Sequence, residues 1–100
     1  MMKQIAMKEL VEKVKSKENL HIIDVREDDE VAQGKIPGAK HIPLGEIPER
    51  LNEIDKSNHY YMVCRSGGRS GKASEFLENQ GFDVTNVDGG MLAWTEDVEK

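Results

Sequence analysis

Residues 59–87 read HYYMVCRSGGRSGKASEFLENQGFDVTNV, and this stretch decides the fold. HYYMVC, residues 59–64, is a short aromatic and apolar run of strand character. From Arg69 to Gln80, Ala73, Phe76 and Leu77 mark one face at helical spacing, and Gly81 supplies the left-handed position that commonly ends a helix. FDVTNV, residues 82–87, then reads as a second strand. Two strands joined through a helix make a crossover unit, and such units build parallel sheets.

The same alternation extends upstream. LHIIDV, residues 20–25, is a β-branched run bounded by polar residues, as expected of a strand buried on both faces. A short strand is expected at Lys3 to Ala6, followed by a helix of two to three turns with Met7, Leu10, Val11 and Val14 on its apolar face. Residues 34–48, GKIPGAKHIPLGEIP, carry three glycines and three prolines. They predict a winding connection, with a short strand around Ala39 to Ile42 and Pro48 in the first turn of a helix through Leu51 and Ile54. A DGG turn leads to a helix from about Met91 that carries Trp94, and the EDVEK end is expected to be solvated and frayed. The pattern predicts a single α/β domain over residues 1–100, with a parallel sheet covered by helices on both faces.

Composition narrows the function. One hundred residues with 37% hydrophobic content support one modest core. No apolar run approaches the ~20 residues of a membrane span, and the start lacks the marks of a signal peptide, so no membrane partner and a cytoplasmic location are expected. A net charge of −5 argues against nucleic acid as a partner. One cysteine excludes an internal disulfide and any two-cysteine zinc or redox pair. His21, His41 and His59 lie far apart without ligand spacing, so neither a metal nor another cofactor is expected. Phe76, Leu77 and Trp94 are assigned to packing.

The charge is unevenly spread. Between Tyr60 and Ser74 stand Arg65, Arg69 and Lys72 with no carboxylate, so this segment carries +3 against −8 for the rest. Within it, Cys64 closes a strand whose carboxyl end belongs to the ligand-binding edge of a parallel sheet. Gly67 and Gly68 admit backbone conformations closed to other residues, so N–H groups of Arg65 to Arg69 can converge on the sulfur, and the next helix adds its positive end. A lone cysteine in other surroundings is an inert buried hydrophobe; here the context favours a thiolate.

Two phosphate motifs fail on these residues. At Walker-loop spacing from Gly71-Lys72 stands Ser66 where glycine is needed, and Ala73 follows in place of Ser or Thr. A cysteine phosphatase loop has five residues between cysteine and arginine, whereas four separate Cys64 from Arg69. One residue fewer shortens the contour by up to about 3.5 Å, which favours a single sulfur on Cys64 over a tetrahedral phosphate.

The order and spacing of IIDVRE with Glu30, GKIPGAKHIPL, CRSGGRS and GFDVTNVDGGMLAW resemble a single-domain rhodanese from about Met7 to Trp94. The resemblance implies a three-layer α/β fold around a parallel five-stranded sheet and a rhodanese-type thiosulfate sulfurtransferase, with no cofactor. Cys64 would be the catalytic nucleophile, passing through a persulfide between a small anionic donor such as thiosulfate and a thiol or protein acceptor. Arg65, Ser66, Gly67, Gly68 and Arg69 would bind the substrate, with Arg65 and Arg69 orienting the anion. Asp24 and Arg26 match a D-x-R element and are read as a supporting ion pair. Val31 and Lys35 depart from the aromatic residue and histidine that many relatives carry there. The alternatives are a protein-binding or regulatory module on the same fold, and a cysteine phosphatase or arsenate reductase. With no covering domain, the loop is expected to be fairly open.

Overall fold

A computed structural model describes residues 2–100. Strands β1 (Lys3–Ala6), β2 (His21–Asp24), β3 (Lys40–His41), β4 (His59–Val63) and β5 (Asp83–Asp88) form one sheet in the order β1-β5-β4-β2-β3. Every pairing is parallel, with Ile23 beside Met62 and Tyr60 beside Val84. Helices α1 (Met7–Lys15), α2 (Asp28–Ala32) and α3 (Gly68–Asn79) connect the strands, together with 3₁₀ segments at Leu44–Glu49 and Leu51–Glu53, and a third 3₁₀ segment at Gly90–Ala93 follows β5.

Side-chain alternation along the central strands divides the core in two. Ile23, Met62 and Val84 face α3, where they meet Ala73, Leu77, Ile47 and Ile54. Ile22, Val63 and Val87 face the opposite side and pack with Met7, Leu10 and Val11 of α1. The three-layer α/β arrangement implied by the resemblance is therefore present. Each fully buried Leu, Ile or Met contributes about 1.5–3 kcal/mol relative to exposure, so both layers are held chiefly by these contacts.

This layering also places a crevice. The connection leaving β2 passes over the α1 face, where Ile36 and Ala39 are buried, while α3 leaves the neighbouring β4 over the other face. Adjacent strands whose connections diverge open a cleft at their carboxyl ends. Residues 24–26 and Cys64 stand at that cleft.

One element was not expected, and three expectations need correction. Residues 28–32 form a helix that the charged sequence did not announce, because no residue in it is buried. Pro48 lies inside Leu44–Glu49, and the connection makes 3₁₀ turns in place of an α-helix. The segment after DGG is likewise a single 3₁₀ turn, with Trp94 just beyond its end and partly buried against the α1 layer. The acidic tail is tied down: Lys35 and Glu99 exchange two backbone hydrogen bonds of 3.0 and 2.9 Å, and Val98 lies over Gly34.

Candidate active site

The loop between β4 and α3 is shaped by where its carbonyls go. Met91 N–H donates to the Cys64 carbonyl at 2.9 Å, Leu92 N–H to that of Arg65 at 3.0 Å, and Gly89 N–H to that of Ser66 at 3.2 Å. The Gly67 carbonyl accepts from Gly71 N–H at 3.0 Å and from Asn86 Nδ2 at 3.2 Å. With four successive carbonyls held by partners outside the cup, peptide N–H groups are left for its interior. Gly67 makes this turn at φ +115°, a conformation that side-chain-bearing residues rarely adopt.

Cys64 Sγ sits inside that cup. Gly67 N–H donates to it at 3.1 Å, and the Ser70 hydroxyl lies 3.3 Å away. Burial pushes the thiol up, but the Ser70 hydroxyl and the N–H groups of Ser70, Gly67 and Ser66 outweigh it, so the net shift is downward. A sulfur so placed favours its anionic form. Arg65, Ser66 and Gly68 around it are exposed, as expected of an open loop, but Cys64 itself is 1% exposed.

The two arginines have different situations. Arg65 is exposed and has no ion pair among the described residues. With Glu30, Gln33, Met91 and Leu92 it lines an open hollow of about 260 Å³. Arg69 instead grips Glu30 of α2 through two bonds of 2.6 and 2.8 Å. That hydrogen-bonded guanidinium holds the Glu30 carboxyl down to about 2. The cationic segment is therefore not free of carboxylates in space, and Arg69 is a brace before it is an anion hook. A larger hollow of about 530 Å³ lies behind the loop between α3 and β1, and Cys64 lines neither.

Asp24 and Arg26 form an ion pair. Both are buried, and Arg26 Nη2 meets Asp24 Oδ2 at 2.8 Å and the Gly34 carbonyl at 2.8 Å. Arg26 thus ties the end of β2 to the segment after α2.

Three residues of the site have no role assigned from the sequence, although all lie in the motifs that carry the resemblance. Ser70 supplies a hydroxyl to the sulfur, and Asn86 accepts that hydroxyl at 2.6 Å while holding the Gly67 carbonyl. Gly90 is the third. A Cβ there would come within 2.4 Å of the Cys64 carbonyl oxygen and 2.5 Å of that of Arg65, at a φ of +52°. Gly90→Ala must therefore move the backbone on which the cysteine stands. We expect it to lower stability by about 3 kcal/mol and to slow Cys64 alkylation at neutral pH. Urea unfolding and iodoacetamide kinetics measure the two, and a variant as stable and as reactive as the native chain would refute the close-packing argument.

Among the described residues, no group of three or more His, Cys, Asp or Glu side chains is placed to hold a metal. His41 binds the Arg26 carbonyl, whereas His59 lies between Asp83 and Thr85. No helix among them is long and apolar enough to cross a membrane.

Comparison with known proteins agrees with this geometry. The Rhodanese-like domain family matches residues 6–97. The chain is 50% identical over 92 residues to YtwF of Bacillus subtilis, covering 92% of this chain and 89% of that one. It is 38% identical over 95 residues to a sulfurtransferase of Allochromatium vinosum, covering 94% and 89%. Among solved structures, a rhodanese-like domain protein from Staphylococcus aureus superposes with a TM-score of 0.91 at 44% identity, over 99% of this chain and 100% of that one.

Proposed function

The chain belongs to the rhodanese-like domain family, and from that premise we propose that it moves sulfane sulfur through a persulfide on Cys64. The observation that carries the reading is the Cys64 sulfur itself, facing an N–H group and a hydroxyl in a cup whose carbonyls are all engaged elsewhere. In the first step the Cys64 thiolate attacks the outer sulfur of thiosulfate. A Cys64–sulfur bond forms, the S–S bond of thiosulfate breaks, and sulfite leaves with its electron pair. The outer sulfur of the persulfide keeps the negative charge, which the cup's N–H groups stabilise. A thiol or cyanide then attacks that outer sulfur and returns the thiolate.

Burial of Cys64 supports a carrier that works through its outermost atom. A sulfur bonded to Sγ stands about 2 Å further out, toward the exposed Arg65, Ser66 and Gly68. Arg65 is the cation available to an incoming dianion, and Arg69 holds the loop against α2. Acceptors are low-molecular-weight or protein thiols able to reach the outer sulfur, in a chain that operates in the cytoplasm.

The test is the intact mass of the native protein after brief exposure to thiosulfate. A species heavier by one sulfur atom and restored by cyanide is expected. Its loading rate should rise with pH and level off below the range where a free thiol titrates, because the lowered Cys64 group is already ionised there. No adduct with thiosulfate or with polysulfide overturns the proposal, and steady hydrolysis of an aryl phosphate would put the phosphatase alternative in its place.

A further inference from the structure

Ser70 has one hydroxyl proton and two acceptors within reach, Asn86 Oδ1 at 2.6 Å and Cys64 Sγ at 3.3 Å. The orientation of the Asn86 amide follows from its other neighbours, the Gly67 carbonyl and Gln4 Oε1, which lies 3.0 Å from Nδ2. The Gly67 carbonyl can only accept, so the nitrogen faces it at 3.2 Å, and the oxygen must face Ser70. An amide oxygen only accepts as well, so the Ser70–Asn86 bond exists only while the Ser70 proton lies on it. When Cys64 is a thiol, its S–H can donate to Ser70 Oγ and Ser70 in turn to Asn86. When Cys64 is a thiolate, its proton having gone to solvent, Ser70 can turn to the sulfur only by leaving Asn86 Oδ1 without its donor. Asn86 is 2% exposed, so water does not freely replace that donor.

Resting on the Cys64 reading above, we propose that Asn86 is a positioning residue that acts on Cys64 through Ser70, competing with the sulfur for the single Ser70 hydroxyl proton. A sulfur capped as a persulfide has its charge on the outer atom, and Sγ becomes a weak acceptor. Ser70 then returns to Asn86. Asn86 Oδ1 thus loses its donor only in the thiolate state and regains it in the loaded one, which keeps the free thiolate from being over-stabilised relative to the persulfide. The Gly67 N–H bond to sulfur does not change partner in this way, nor do the Asn86 Nδ2 contacts to Gly67 and Gln4, and Gly71 N–H also holds the Gly67 carbonyl.

The charged groups around the sulfur are the Asp24–Arg26 and Glu30–Arg69 pairs, Arg65, and Asp88 beside Gly67. None is altered by the variants that test the proposal. The measurement is the pH dependence of Cys64 alkylation and of thiolate absorbance in native, Asn86→Leu, Ser70→Ala and doubly substituted protein. Asn86→Leu, which keeps the branched outline and the number of side-chain heavy atoms, leaves sulfur as the only acceptor and should raise the acid dissociation constant of Cys64 by about threefold to tenfold. Ser70→Ala should lower it. In the Ser70→Ala background, Asn86→Leu should change it by less than about twofold. Shifts of the same sign in both single variants, or an Asn86→Leu shift undiminished in the Ser70→Ala background, overturn the proposal. If Asn86→Leu does not fold, Asn86→Asp serves in its place. Its stronger acceptor should lower the constant by at least about threefold more in the Ser70 background than in the Ser70→Ala one, and equal effects refute the relay. Alkylation needs no sulfur donor, so this outcome is independent of whether thiosulfate loads the protein.

Discussion

Cys64→Ser is expected to lose sulfur loading to background, a fall of at least roughly 10⁴-fold, while the fold survives. A serine hydroxyl occupies nearly the same volume and can keep the Gly67 N–H and Ser70 contacts that Sγ now has. Its stability change should stay within about 1 kcal/mol, because a buried hydroxyl with partners present costs little. What it cannot do is ionise near neutral pH or form the S–S bond that carries the transferred atom. The chain has no other cysteine, so a sulfur adduct has no second thiol to occupy. Intact mass after thiosulfate treatment, read beside a urea melt, separates chemistry from folding. A folded Cys64→Ser protein that still gained sulfur would remove the cysteine from the mechanism.

The element order was legible because the physics behind it is local. Periods of two and 3.6 residues in 59–87 report which faces are buried, and both strands and α3 stand where those periods put them. The cup was legible for a similar reason, since adjacent glycines after a strand can turn N–H groups inward without reference to the rest of the chain. What depends on distant partners was not. Helix α2 buries nothing, so it has no apolar stripe to read. It is anchored by Glu30 to Arg69, 39 residues away. The same pair shows why a cationic segment read along the chain misjudged the field at the loop. Asn86 and Gly90 are ordinary residues of a strand and a turn until β5 is laid beside β4, when one reaches Ser70 and the other meets the Cys64 carbonyl. The tail pairs with Lys35 through its backbone, a contact that side-chain composition does not announce.

Arg26→Met is expected to cost about 3–5 kcal/mol, the largest loss of stability among the substitutions considered, because it strands a buried charge. Asp24 is 1% exposed and Arg26 6%, and the guanidinium meets both carboxylate oxygens as well as the Gly34 carbonyl. Methionine keeps the aliphatic stem, so lost packing is a minor part of the change. What remains is a carboxylate deprived of its counter-charge and a carbonyl deprived of its donor. Removing the second charge tests that account. Asp24→Leu in the Arg26→Met background should recover more than half of the loss, since a buried ion pair replaced as a unit by apolar residues is often near neutral. Function should follow position. Arg26 holds the end of β2 and the segment beyond α2, so its loss loosens α2, and through Glu30 it loosens the grip on Arg69 at the edge of the cup. Sulfur loading at a temperature where Arg26→Met is still folded should therefore slow several-fold but persist, in contrast to Cys64→Ser. A complete loss in folded protein would mean that the pair touches the chemistry, and a variant as stable as the native chain would mean that the pair contributes no net stability.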